Sequence, residues 1–168
     1  PVFLEYSPAA AGAISTGTWN FGDGTPVVVR NNAAAFTHVF TTTGTYQVKL
    51  TVTTAYGCNS SQYVFGVIIS PMPVPDFTMP KVCLPVANAT FINQSMISVG
   101  TQASFGYLWD FGDPGSGANN TSSSKSPGHL YGAVGPYSVR LTVTSANGCI
   151  KDTLKVYNDV HPQPKAQF

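Results

Sequence analysis

The sequence predicts an all-β protein built from two tandem β-sandwich domains. Three observations lead there: apolar and polar residues alternate at strand period, one pattern recurs after roughly 90 residues, and turn-forming residues interrupt the chain at short intervals. The alternation is clearest where Tyr46, Val48, Leu50 and Val52 interleave with Gln47, Lys49, Thr51 and Thr53, and again in Tyr137, Val139, Leu141 and Val143. Residues two apart share a strand face, so each run offers one apolar face to a core and one polar face to water. No window repeats apolar residues at helical spacing.

The composition supports this reading. Thr, Val and Tyr favour strands, while 16 Gly and 13 Pro punctuate the 168 residues. Hydrophobic residues make up 43%, enough to pack a core. Only 9% of residues are charged and the net charge is +1, so there is no basic surface for nucleic acid and no acidic solvating run. The longest apolar stretches, such as residues 64–69, are far too short to span a bilayer.

The repeat can be followed residue by residue. Trp19-Asn20-Phe21-Gly22-Asp23-Gly24 returns as Trp109-Asp110-Phe111-Gly112-Asp113-Pro114. His38-Val39-Phe40 returns as His129-Leu130-Tyr131, and Gly57-Cys58 as Gly148-Cys149. The run from Gly44 to Thr53 returns from Gly135 to Thr144. Its register predicts a first repeat over residues 1–70 that lacks its opening strand. A complete second repeat follows over 71–162, and a further one starts over 163–168. Additional strands are expected over 86–92, 104–111 and 150–157. The segment 70–75, with Pro71, Pro73 and Pro75 at alternate positions, reads as a short, stiff spacer.

The ordered set Trp-x-Phe-Gly-Asp, His-x-aromatic and Gly-x-Tyr-x-Val-x-Leu-x-Val closely resembles the PKD (polycystic kidney disease) domain. That resemblance implies two immunoglobulin-like sandwiches of the kind found on cell surfaces and beside secreted hydrolases. Cys83-Leu84-Pro85 early and Gly148-Cys149 late, with Phe91-Ile92-Asn93-Gln94-Ser95 between them, resemble a cysteine-bearing subtype common in Bacteroidota surface, gliding-motility and type IX-secreted proteins. The subtype implies a disulfide within each repeat, Cys83 to Cys149, with the partner of Cys58 lying upstream of Pro1. It also makes Thr153, in Asp152-Thr153-Leu154, a candidate for O-glycosylation.

The recurring residues read as structural. Trp19 and Trp109, with Phe21 and Phe111 at the same parity, fill the space between sheets. Gly22 and Gly112 suit a turn that needs positive φ or close backbone approach, and Asp23 and Asp113 accept hydrogen bonds within that turn. His38 and His129, repeated in place, bond a neighbouring loop. Tyr46 and Tyr137 resemble the tyrosine that closes a corner of such sandwiches, its hydroxyl reaching an upstream backbone group.

Enzyme chemistry finds no support. Glu5 is the single glutamate, no pair of carboxylates recurs, and no nucleophile elbow or phosphate loop is present. No His or Cys set has zinc-ligand spacing, so no metal or cofactor is expected. Calcium flanked by Asp76, Asp152 and Asp159 is the alternative. The expected role is that of an extracellular, cell-surface structural or adhesive spacer whose partners are neighbouring repeats, other surface proteins or glycans. The alternative is a carbohydrate-binding accessory module presenting Tyr6, Tyr56, Tyr63, Tyr107 or Tyr157. The polar stretch 115–126, not shared by the first repeat, is where a partner is expected to touch.

Overall fold

The structure is a computed structural model that describes residues 1–3, 13–32, 34–98 and 102–165. Glu5, Tyr6 and the end of the proposed third repeat, 166–168, lie outside the described residues. The chain divides into two compact units, Pro1–Ser70 and Pro71–Phe168.

The first unit contains β1 (Val2–Phe3), β2 (Ile14–Asn20), β3 (Val28–Arg30), β4 (Phe36–Thr37), β5 (Gly44–Thr54) and β6 (Tyr63–Ile69). Its larger sheet runs β3-β2-β5-β6, all antiparallel, and β1 pairs with β4. Trp19 and Val48 project from that sheet into a core with Phe3 and Phe21, and Leu50, Phe36 and Phe65 pack around them. The strand parity read from the sequence is therefore the parity of the core.

The second unit contains β7 (Phe77–Thr78), β8 (Val82–Cys83), β9 (Ala87–Thr90), β10 (Ile92–Asn93), β11 (Gly106–Asp110), β12 (Thr121–Ser122), β13 (Gly128–Tyr131), β14 (Tyr137–Thr144), β15 (Ile150–Tyr157) and β16 (Val160–His161). One face is the sheet β12-β11-β14-β15, and the opposite face is formed by β13 with β9 and by β10 with β7. Trp109, Phe111, Val139, Leu141 and Val143 from the first face meet Phe77, Ala87, Ala89, Phe91 and Tyr131 from the second. The rings pack at edges and tilts, with Phe77 at 5.0 Å and Phe91 at 5.6 Å from Trp109. Each such pair contributes about 1 kcal/mol beyond its area burial. Small Ala87 and Ala89 leave room for these rings. The outcome is a two-sheet sandwich in each unit, all-β as the sequence predicts.

Two sequence readings need adjustment. The segment 70–75 is not wholly a spacer: Val74 exchanges both backbone hydrogen bonds with Met96, at 2.8 and 3.0 Å. Pro73 and Pro75 are buried. Proline lacks an N–H, and the alternate position, Val74, supplies the only one needed there. The last part of the segment therefore belongs to the second sandwich. The strand expected over 86–92 is broken at Phe91, whose N–H bonds the carbonyl of Pro127.

The close approach that the two motif glycines permit is specific. Gly112 has φ +68°, and a Cβ there would stand 2.6 Å from the Ser138 carbonyl oxygen and 2.7 Å from its nitrogen. Gly22, at φ +71°, meets Gln47 in the same way. Gly112→Ala is expected to destabilise the second unit by roughly 3 kcal/mol, from strained φ plus a backbone clash. Gly132→Ala, with open space around its Cβ position, serves as a near-neutral control. Urea unfolding followed by Trp109 fluorescence checks both.

Candidate functional site

The residues that recur between repeats converge on one junction in each unit. In the second, Asp110 ends β11 and its Oδ1 accepts from the Gly112 N–H at 2.9 Å. That bond turns the chain, so Asp113 points across the sandwich. Its Oδ2 meets His129 Nε2 from β13, in the opposite sheet, at 3.1 Å. The imidazole lies flat on Phe111, ring centroids 4.4 Å apart, and Tyr131 donates its hydroxyl to the Phe111 carbonyl at 3.1 Å. The first unit repeats the arrangement. Asn20 accepts from the Gly22 N–H, Asp23 Oδ2 meets His38 Nε2 at 2.6 Å, and His38 stacks on Phe21 at 3.7 Å. An acidic turn is thus pinned to the facing sheet by a histidine that is itself clamped on a phenyl ring.

The electrostatics follow from these contacts. The Thr25 hydroxyl and N–H on Oδ1, together with His38, hold the Asp23 carboxyl down at about 2, against 3.8 for the free group. Burial pushes the Tyr157 hydroxyl up to about 12, and burial raises Tyr131 as well, so both remain proton donors. Tyr46 and Tyr137 each donate to a carbonyl four residues upstream, Thr42 and Ala133, at 2.8 Å. Trp109 is fully buried, with its indole N–H on the Ser124 carbonyl at 2.9 Å.

The loop that follows Asp113 in the second unit is held by one residue, Asn120. Residues Pro114–Asn120 form two short 3₁₀ turns. Asn120 accepts from the Asp113 N–H through Oδ1, donates from Nδ2 to Asp110, and accepts from the Phe111 N–H through its carbonyl. Sequence reasoning placed variability here but did not find this anchor.

The cysteines require a correction. Cys58, Cys83 and Cys149 are all free thiols, and the Cys83–Cys149 bond is not formed. Topology explains why. Cys83 stands level with His161 in the parallel β8–β16 pair, whereas Cys149 immediately precedes β15. The eight residues of β15 alone extend about 26 Å, and a disulfide needs its Cα atoms within about 7 Å. The two thiols occupy opposite poles of one sandwich.

The remaining candidates scatter. Asp76 pairs with Lys155 at 2.6 Å, Asp152 with Arg140 at 3.4 Å and Asp159 with His161 at 3.6 Å. Among the described residues no group of three or more His, Cys, Asp or Glu side chains converges as a metal would require. Thr153 is half-buried on β15 opposite Leu141. Tyr56 and Tyr63 are exposed, and Tyr157 is fully buried. Among the described residues no helix is long and apolar enough to cross a membrane.

The sequence matches the PKD domain over residues 4–69 and again over 71–160. The chain belongs to the PKD domain family. Among solved structures it is similar to the PKD1 domain of Vibrio anguillarum Epp, with 28% identity and TM-score 0.46, over 56% of this chain and all of that one. It is also similar to fibronectin(III)-like modules of Clostridium thermocellum CbhA, with 13% identity and TM-score 0.43, over 92% of this chain and 83% of that one. In each of these two PKD domains the recurring Asp and His meet, Asp23 with His38 and Asp113 with His129.

Two measurements check the site. The depressed Asp23 pKa means that its contribution to stability is complete above about 3.8 and is lost as pH falls toward about 2. The carboxyl carbon resonance of Asp23 should titrate near the lower value, and Thr25→Ala should raise that midpoint. Alkylation of unreduced, folded protein followed by peptide mass spectrometry should find Cys83 and Cys149 both modified. A linked Cys83–Cys149 peptide pair would contradict the strand placement.

Proposed function

We propose that this chain is an extracellular structural and adhesive repeat module, a spacer that carries tension within a larger cell-surface or secreted protein. One observation carries the reading. In the second unit β8, the strand that follows the opening β7, runs parallel to the last strand, β16. The chain is therefore entered at one pole of the sandwich and left at the other, which suits a unit loaded through its two ends. Antiparallel terminal strands would return both ends to the same pole.

The contacts along that seam suit pulling. Val82 N–H bonds the Asp159 carbonyl at 2.9 Å and Leu84 N–H bonds the His161 carbonyl at 3.0 Å. Lys155 Nζ donates to both Asp76 and the Phe77 carbonyl at 2.6 Å and lies 4.9 Å above the Phe77 ring. Tyr157 donates to the Pro80 carbonyl at 2.7 Å. Force applied to the two ends slides these strands past each other, so the bonds load together and not one after another. The surface location implied by family membership belongs to the same proposal, as does kinship with Bacteroidota surface proteins, supported by the Cys-Leu-Pro and Gly-Cys segments.

Single-molecule stretching tests it. The intact chain should unfold in two steps, the second unit extending by about 30 nm at roughly 3.5 Å per residue. The double variant Lys155→Met, Tyr157→Phe should lower the force of that step while leaving the other unchanged. Gradual yielding at low force, with no effect of the double variant, would defeat the proposal.

A further inference from the structure

We propose that the second unit carries a binding site for a primary alkylammonium group, at a place the first unit has closed. In the first unit both Asp23 oxygens are occupied: Oδ2 by His38 at 2.6 Å, Oδ1 by the Thr25 N–H at 3.1 Å and the Thr25 hydroxyl at 2.6 Å. Asp113 keeps its histidine on Oδ2. Two residues further on, however, stands Gly115 where the first unit has Thr25. The hydroxyl is gone, and no donor among the described residues reaches Asp113 Oδ1. That oxygen lies beside Gly115, 3.6 Å from where a Cβ would stand. Asp113 and Gly115 line an open pocket of about 280 Å³ together with Ser116, Leu130, Ala133 and Tyr137.

The hydrogen-bond inventory selects the ligand. Ser116 already donates its hydroxyl, at 2.8 Å, and its N–H, at 3.0 Å, to the Asp113 carbonyl. Tyr137 donates to the Ala133 carbonyl. These side chains present acceptors to the pocket, with their protons committed elsewhere. A sugar hydroxyl needs donors as well as acceptors, whereas an ammonium brings three donors and accepts nothing. Its bond to a carboxylate is charge-assisted. Leu130, 59% exposed, offers an apolar wall for the methylene stem. The group could arrive on a free amine or on a lysine side chain, and the chemistry is the same. An open pocket of this kind binds with a Kd on the order of millimolar.

Amide NMR spectra of the whole chain, titrated with n-butylammonium chloride against equal sodium chloride, test the proposal. Saturable shifts are expected at Ser116, Ala133 and Tyr137. Gly115→Ala, whose Cβ would make only an ordinary contact with Asp113 Oδ1, adds bulk without a donor and should bind more tightly than Gly115→Ser. Gly115→Ser, which returns a donor to Oδ1, should bind at least tenfold more weakly. Tighter binding of Nα-acetyl-lysine N-methylamide assigns the source to a protein side chain, and equal binding assigns it to the amine alone; both uphold the site. Undiminished binding by Gly115→Ser overturns the proposal, as does an equal response to n-butanol or methyl glucoside. Shifts of the same size around Asp23 also overturn it.

Discussion

The sandwich depends on a carboxylate that crosses between sheets. Asp113 leaves the end of β11 and meets His129 on the facing β13, and Asp23 does the same with His38. Each half of this contact is fixed by something else. The turn glycine lets the backbone pass within van der Waals reach of the neighbouring strand, and the ring of Phe111 or Phe21 holds the imidazole flat. Taking away either the aspartate or the histidine leaves a largely buried polar group without its partner, which costs more than never having had the pair. The whole set therefore persists in both repeats, while the surface around it drifts.

This junction also explains how the sandwich manages without a sulfur bridge between its sheets. In the immunoglobulin arrangement a disulfide joins the two layers through the core. Here the aromatic cluster occupies that space, Trp109 against Phe77, Phe91 and Phe111, and the cross-layer tie sits at the end of the strands as Asp–His. The thiols are left at the poles, Cys83 beside His161 and Cys149 ahead of β15. The parallel closing strands use a different device, in which Lys155 and Tyr157 reach over to the backbone of residues 77 and 80.

Much of this was legible in the sequence, and the limits have physical causes. Alternation in β5 and β14 named the buried faces because side-chain direction in a strand is local. The Asp, His and Tyr positions stood out because they recur. That Asp and His meet could not be read, because their separation of 15 or 16 residues carries no periodicity. Nor could Lys155 and Asp76 be paired, since 79 residues separate them. The cysteine pairing failed for an instructive reason. Recurrence linked Cys149 to Cys58 and the family resemblance supplied Cys83 as its partner, but only topology tells which pole each occupies. The proline segment misled more mildly, since alternate prolines fit an edge strand as well as a stiff spacer.

The second repeat differs from the first through one replaced stretch, and its consequences are linked. Pro114 and Gly115 stand where the first repeat has Gly24 and Thr25, and the chain then detours through residues 114–126 before rejoining the common frame. The detour gives the buried indole of Trp109 an acceptor, the Ser124 carbonyl, whereas the indole N–H of Trp19 has none among the described residues. The same detour brings Asn120 to bind Asp110, Phe111 and Asp113 together. So the loop repairs one unsatisfied donor in the core and stiffens the turn, and this allows the aspartate to give up the threonine that caps its counterpart. A turn braced from outside no longer needs its own residues for bracing, which is how a structural carboxylate becomes available to something else.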